Sequence, residues 1–354
     1  MVQPIALPET VYEIDTDWFN HALRAGGHHV TVTRAERLDV IHATCTKARF
    51  RLNYDGDSSL PERMILKGAF EPHSERMQSM YQWEARFYAE IAPHVSLNVP
   101  RAFHAGVEPG GWRAATLMED LTVRGVRFCR AQEPLGFGHV QRRLDQLATL
   151  HARSWNSPDL QPGGRWDWVQ RRFGAFSQAY NDYYLEAERW AACMASPRGV
   201  AVSGKLQDRN WMRHALARLT AFEAEDPFCL NHGDTHPGNL YVDADGTPGF
   251  LDVTVMRSPW WAEIAYHLVA SIDIAERRAW EGPLLGYYLA RLADAGGPRL
   301  AFEHAWLRYR QAIAYGLFIF LINETRFQSE ATNTAYTARF GTAAIDHDTV
   351  GLLA

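Results

Sequence analysis

Cysteine is scarce and unpatterned. The 354 residues hold four, Cys45, Cys129, Cys193 and Cys229, with no Cys-x-x-Cys pair. Neither a disulfide frame nor a cysteine zinc site is expected, and the thiols read as reduced, as in a cytoplasmic protein. Long apolar runs are missing too. The longest strongly apolar stretch, residues 316–322, falls far short of the ~20 residues of a membrane-spanning helix. The opening residues, MVQPIALPETVYEID, have neither the cationic start nor the apolar centre of a leader. No Lys/Arg-rich run offsets a formal net charge of −5, so nucleic acid is not an expected partner. No internal repeat or low-complexity tract stands out. What is present, 47% hydrophobic and 22% charged residues, is ordinary globular composition, and the length suits two lobes better than one core.

Patterning divides the chain into a strand-rich front and a helical back. A capped helix over residues 15–24 closes at Gly26-Gly27, and alternating polarity predicts strands over 29–38 and 47–53. After the loop 55–61 a strand resumes over 63–70, then a helix over 74–92. Strands over 98–106 and 112–118 flank the turn 108–111. From 137 onward helices dominate: 137–155, with an apolar stripe through Val140, Leu144, Leu147 and Leu150, then 168–194, 210–223, 260–275, 280–295 and 302–326. The expected class is α+β and two-lobed, with residues 1–121 as a small β-rich N-lobe and 122–354 as a larger, mainly helical C-lobe.

The chemistry concentrates in residues 230–253, LNHGDTHPGNLYVDADGTPGFLDV. A turn signal, Asp243-Ala-Asp-Gly246, separates two short apolar runs. A hairpin is therefore expected, with Asp234 and Asn239 on the loop before it and Asp252 at the end of its second strand. Loop oxygens beside a strand-borne carboxylate suit Mg²⁺, a hard cation that takes a few protein oxygens together with substrate phosphates. The spacing from Asp234 to Asn239 equals the Asp-to-Asn offset of the protein-kinase catalytic loop, where Asp is the base and Asn and a later Asp hold metal. Two other readings use the same residues. His232, Asp234 and His236 form a cluster suited to zinc or iron in a hydrolase, although that leaves Asn239 and Pro237-Gly238 without a task. A kinase-like binding module without turnover is the other.

His232-Gly-Asp-Thr-His-Pro-Gly-Asn239, followed by Leu251-Asp252-Val253, resembles the aminoglycoside phosphotransferase/choline kinase superfamily, and within it the ecdysteroid-kinase-like (CHK-kinase-like) branch. The resemblance spans residues 30–330, and only the quoted stretch is sharp. It implies a protein-kinase-like fold and an ATP- and Mg²⁺-dependent transfer of the γ-phosphate to a hydroxyl of a small molecule. Asp234 would be the base, with Asn239 and Asp252 as metal ligands. His232 and His236 would bond the loop backbone. Lys67, inside an apolar strand, would meet the α/β-phosphates and be held by Glu84. That glutamate sits in Gln82-Trp-Glu-Ala-Arg-Phe-Tyr88, which resembles the family's E-x-x-F-Y, and Glu75 and Glu90 are the other carboxylates on its helix. A surface Lys packing its stem on the sheet is the plainer alternative.

The resemblance also marks departures. The phosphate-covering turn, residues 41–47, contains no glycine. Either Thr44, Thr46 and Lys47 contact phosphates in place of backbone, or the turn is a plain hairpin. Met118, Glu119 and Leu121 occupy the hinge whose main chain would bind adenine. Glu263 stands where the family shows Asp, and would brace the catalytic-loop backbone. For the acceptor, the tail offers only Asp346 and Asp348 to a polycation, whereas Trp166, Trp168, Trp190, Trp211, Trp260, Trp261, Tyr180, Tyr183 and Tyr184 provide material for an apolar or aromatic slot.

Overall fold

Strands occupy the first third of the chain and helices most of the rest, so the α+β class expected from patterning is the observed one. The structure, a computed structural model, describes residues 3, 4 and 6–354. Met1, Val2 and Ile5, within the N-terminal run read for a leader, lie outside the described residues. The chain forms two compact units. One runs to Arg127 and takes in Asp243–Gly246 and Phe250–Thr254; the other comprises Phe128–Val242, Thr247–Gly249 and Val255–Ala354.

The first unit is built on strands β1 (Gln3–Pro4), β2 (Val32–Ile41), β3 (Thr46–Tyr54), β4 (Arg63–Gly68), β5 (Ala102–Val107) and β6 (Ala114–Glu119), in the spatial order β1-β5-β6-β4-β3-β2. Strands β2 to β6 pair antiparallel, and β1 joins the edge parallel to β5. Helix α1 (Thr16–Ala25) is capped by Asp15, which accepts the Trp18 N–H at 2.9 Å, and its buried Phe19, Ala22 and Leu23 join Phe50, Leu52, Met64, Leu66 and Leu117 in one core. Each such large apolar side chain contributes about 1.5–3 kcal/mol on burial. Alternation along β4 buries Met64 and Leu66 toward this core and turns Lys67 to the other face. The helix expected over 74–92 is not continuous. A 3₁₀ turn (Ser74–Met77) leads into α2 (Gln78–Arg86), a π turn (Phe87–Ile91) and a last 3₁₀ turn containing Pro93. Pro93 lacks the N–H that a continuing helix needs.

Strand β7 (Arg127–Phe128) leads to the second unit, where the helices are α3 (Phe137–Arg153), α4 (Ala175–Tyr184), α5 (Ala187–Met194), α6 (Pro197–Val200), α7 (Arg209–Glu225), α8 (Trp260–Ser271), α9 (Ile274–Asp294), α10 (Phe302–Ile322), α11 (Glu330–Asp346) and α12 (Thr349–Leu352). Among them run short strands β8 (Cys229–Asn231), β9 (Leu240–Val242), β10 (Pro248–Phe250) and β11 (Met256–Ser258). Every residue of α8 is buried, the polar Glu263, His267 and Ser271 included, which marks it as the unit's central helix. Three expectations need correction. Residues 168–194 are a loop followed by α4 and α5, because Gly174 and Glu186 hold extended backbone at the two helix starts. Helix α9 begins at Ile274, where Asp273 caps it, rather than at 280. Helix α11 was not expected, since its threonines and Gly341 lower helix propensity; packing against α10 and α8 stabilises it. No helix among the described residues is long and apolar enough to cross a membrane.

Candidate active site

Within the first unit, Lys67 sits at the centre of an ionic cluster. Its Nζ is 2.6 Å from Glu84 Oε1 and 2.7 Å from Asp252 Oδ1, and Lys47 Nζ reaches Asp252 Oδ2 at 3.4 Å. The structure brings Lys67 and Glu84 together as the sequence expected. Glu90 pairs instead with Arg86, and Glu75 is exposed on the 3₁₀ turn. Burial alone would neutralise these groups. It works against the charge of Lys67, but Asp252 and Glu84 raise that ammonium's pKa well above the ordinary value. Burial likewise works to raise the Asp252 pKa, and the ammoniums of Lys67 and Lys47 outweigh it, holding the carboxyl far below its usual range. Glu84 is raised by its burial against the pull of Lys67.

Asp252 does not lie at the end of a strand. Strand β10 stops at Phe250, and Asp252 follows in the left-handed region with φ 49°. A non-glycine residue held there is strained by about 1 kcal/mol or more, which the two ammoniums offset.

The glycine-free turn is braced by side chains. The Thr46 hydroxyl, fully buried, donates to Glu71 Oε1 at 2.5 Å, and the Thr44 carbonyl accepts from Tyr81 Oη and from His73 Nε2 at 3.2 Å. Glu71, His73, Ser74 and Tyr81 were not singled out in the sequence, because no motif marks residues whose task is to hold a turn. At the expected hinge, Met118 is buried in β6, and Leu121 opens a 3₁₀ turn that Asp120 caps through the Thr122 N–H. Glu119 donates its N–H to the Arg101 carbonyl at 2.9 Å, and its carboxylate accepts from Arg124 at 2.8 Å.

Within the second unit, β8 delivers the loop from His232 to Asn239. Asp234 Oδ1 accepts from the Tyr266 hydroxyl at 2.8 Å, and Oδ2 accepts from Asn239 Nδ2 at 3.0 Å. Asn239 Nδ2 also donates to the Asp234 carbonyl at 2.9 Å. The amide nitrogen is therefore fixed on Asp234, and the Asn239 oxygen is left as an acceptor suited to a hard cation. Burial works to raise the Asp234 pKa, but His236 nearby and the Tyr266 hydroxyl lower it below the ordinary value, so the group is a carboxylate at neutral pH.

The loop itself rests on Glu263. One carboxylate oxygen accepts the His232 N–H at 3.0 Å and His151 Nε2 lies 3.1 Å from it; the other accepts the Gly233 N–H at 2.8 Å. The longer side chain thus reaches the backbone that an Asp was expected to hold. Gly233 takes φ 98°, which L side chains rarely adopt, and buried Arg172 donates to its carbonyl at 3.0 Å. The ring nitrogens of His232 and His236 accept backbone N–H groups, His232 from Asp234 at 3.2 Å and His236 from Gly238 at 3.0 Å. Nε2 of His236 lies 3.4 Å from Asp234 Oδ2 and 3.1 Å from the Gln328 side-chain nitrogen. This use of both rings leaves the hydrolase reading short of ligands. Among the described residues, no three or more His, Cys, Asp or Glu side chains are grouped to hold a metal.

Tyr266 and its surroundings were missed by the sequence reading. Its ring stacks on Phe320 at 5.6 Å and lies 6.1 Å from Tyr315, over which Arg172 is placed at 5.1 Å. The tryptophans weighed as a slot are mostly core: Trp166, Trp190, Trp260 and Trp261 are buried, and Trp260 stacks on Tyr288. Only Tyr180 and Tyr183 of that set are exposed large hydrophobics, alongside Phe176 on the same helix.

Residues 45–309 match the model of the APH family, the phosphotransferase enzyme family. No curated protein matches the chain by sequence. Among solved structures, a protein of Ralstonia eutropha JMP134, provisionally described as an aminoglycoside phosphotransferase, is 14% identical with a TM-score of 0.52, over 94% of this chain and 96% of that one. LicA in complex with AMP is 12% identical with a TM-score of 0.51, over 89% and 94%; LicA is the choline kinase of Streptococcus pneumoniae. The GDP complex of wild-type aminoglycoside 2'-phosphotransferase-IIIa is 10% identical with a TM-score of 0.50, over 94% and 99%. At such identities the likeness carries the fold, a two-lobed α+β architecture.

Proposed function

The chain belongs to the phosphotransferase enzyme family, and on that footing we propose that it is a small-molecule kinase using ATP and Mg²⁺. The observation that carries the reading is the loop carboxylate of Asp234, ionised and held from two sides by Tyr266 and Asn239. A group so fixed can aim an alcohol. In the proposed step the acceptor oxygen attacks the γ-phosphorus, the bond from that phosphorus to the bridging oxygen of ADP breaks, and the hydroxyl proton passes to Asp234. Lys67, oriented by Glu84, binds the α/β-phosphates, and main chain around Met118, Glu119 and Leu121 binds adenine. Asn239 through its amide oxygen and Asp252 through its carboxylate would be the ligands of Mg²⁺, which would draw charge from the phosphate oxygens. With the Thr46 hydroxyl spent on Glu71, we assign Thr46 to bracing the turn, and Thr44 to shaping it through its carbonyl.

For the acceptor we propose a hydroxylated molecule with an apolar or aromatic body. A polycation would need uncommitted carboxylates. Asp346 is paired with Arg277 and Arg278, Asp348 caps α12, and Glu324 is bonded by Tyr184 and Arg326. Rings, by contrast, surround Tyr266 and line the exposed side of α4. The four thiols are free, in keeping with a cytoplasmic enzyme. The test is ADP release from Mg²⁺·ATP across a panel of aromatic and steroid-like alcohols, choline and aminoglycosides. Acceptor-dependent ADP release with an apolar alcohol supports the proposal. ATP-independent hydrolysis requiring zinc or iron, or no turnover with any acceptor, contradicts it.

A further inference from the structure

The sheet of the first unit places two lysines opposite one another. In the antiparallel register of β3 and β4, Lys47 faces Lys67, and residues opposed in this way project from the same face. Like charges directly across a strand pair repel, so the arrangement needs an anion. Asp252 supplies one, with Oδ1 on Lys67 at 2.7 Å and Oδ2 on Lys47 at 3.4 Å. The two contacts differ in kind. Lys67 is 10% exposed and is also gripped by Glu84, whereas Lys47 is 31% exposed and, among the described residues, has this longer contact as its one ion pair. A long, part-exposed pair of that sort adds little to stability.

We propose that Lys47 and Lys67 form a two-cation clamp for the nucleotide's phosphates, in place of a glycine-rich loop, and that Asp252 occupies the clamp while no nucleotide is bound. The proposal rests on the kinase reading. It follows from what the turn has available: the Thr46 hydroxyl is buried on Glu71 and the Thr44 carbonyl is already bonded. Of the side chains in this turn, Lys47 is the one that carries a positive charge toward phosphate oxygens from this side, with the half-buried Thr44 hydroxyl beside it. The charges of Lys47, Lys67, Asp252 and Glu84 sum to zero. With Asp252 engaged by a divalent cation, both ammoniums would lose a partner, and the nucleotide's phosphates would take its place. Metal-free nucleotide has to compete with the Asp252 carboxylate for the same two ammoniums.

Calorimetric titration of the full chain with ATP and adenosine, with and without Mg²⁺, tests this. Lys47→Ala is expected to weaken Mg²⁺·ATP binding about tenfold or more, the loss typical of one charge-assisted hydrogen bond. Adenosine affinity should be unchanged, and Lys47→Arg should restore most of the ATP affinity. Asp252→Asn is expected to bind metal-free ATP more tightly than wild type while losing the gain from Mg²⁺. A Lys47→Ala protein within twofold of wild type, beside a Lys67→Ala protein that binds ATP poorly, would overturn the clamp and leave the kinase reading standing. Metal-free ATP bound no better by Asp252→Asn would overturn the part given to Asp252. Wild-type protein that binds no ATP in any form would overturn both readings.

Discussion

Replacing Glu263 with Gln removes the charge beneath the loop of residues 232–239 and keeps the side chain's shape. In the native chain the side chain is 1% exposed and holds two successive loop N–H groups, at 3.0 and 2.8 Å. Burial works to raise its pKa, but the hydrogen bond and charge of His151, with His232 and Arg172 behind them, hold it down to about 2 against an ordinary 4.5. At about 1.36 kcal/mol per tenfold, that depression corresponds to roughly 3 kcal/mol of stability at neutral pH. Gln still offers one acceptor oxygen, so the expected loss is about 2–3 kcal/mol. The pH dependence has a definite sign. A carboxylate with a depressed folded pKa stabilises above its unfolded value and loses that contribution as the pH falls from about 4.5 toward 2. Urea unfolding of wild type and Glu263→Gln, from pH 7 down to pH 3, should therefore show a gap that narrows below about pH 4.5. Hydrogen exchange at the His232 and Gly233 amides should speed up at pH 7. Equal stabilities at pH 7 to within about 0.5 kcal/mol, or a gap independent of pH, would refute the brace.

Tyr266→Phe removes a donor from Asp234, so the Asp234 pKa should rise and the acid limb of kcat/KM should move to higher pH. A profile with an unmoved acid limb would mean that Tyr266 only fills space. Lys67→Ala should weaken ATP binding strongly and Glu84→Ala more mildly, and the double variant should lose less than the sum, since both act through one contact at 2.6 Å. Strict additivity in the titrations would separate them.

The sequence displayed its chemistry more openly than its supports. Asp234, Asn239 and Asp252 stood out as candidates because short-range spacing on a loop and hairpin survives in the linear chain. Lys67 stood out because a charge inside an apolar strand demands a partner, and Glu84, which the structure pairs with it, was marked by its resemblance to E-x-x-F-Y. The chain's α+β class was legible for a similar reason, as period-2 and period-3.6 patterns occupy different thirds of it. Residues that act across long sequence separations left no such trace. Tyr266 bonds a residue 32 positions away, and His151 braces Glu263 across 112. The end of β10 was misplaced because Leu251-Asp252-Val253 reads as a strand by composition, while its ion pairs hold Asp252 in a left-handed conformation. Helix α11 was missed because its own propensity is poor and its stability comes from neighbours. The comparisons establish the superfamily, and they do not single out the ecdysteroid-kinase-like branch.

The central claim is that Asp234 takes the acceptor's proton. The most direct measurement is single-turnover phosphoryl transfer from Mg²⁺·ATP by Asp234→Asn, with ATP affinity measured on the same preparation. Asn keeps the size of the side chain and cannot accept the proton, so the rate should fall about 10²–10⁴-fold while ATP affinity stays within a few-fold of wild type. An Asp234→Asn protein that retains more than about half of the wild-type rate would contradict the account, because a change below twofold is well under the contribution of a general base.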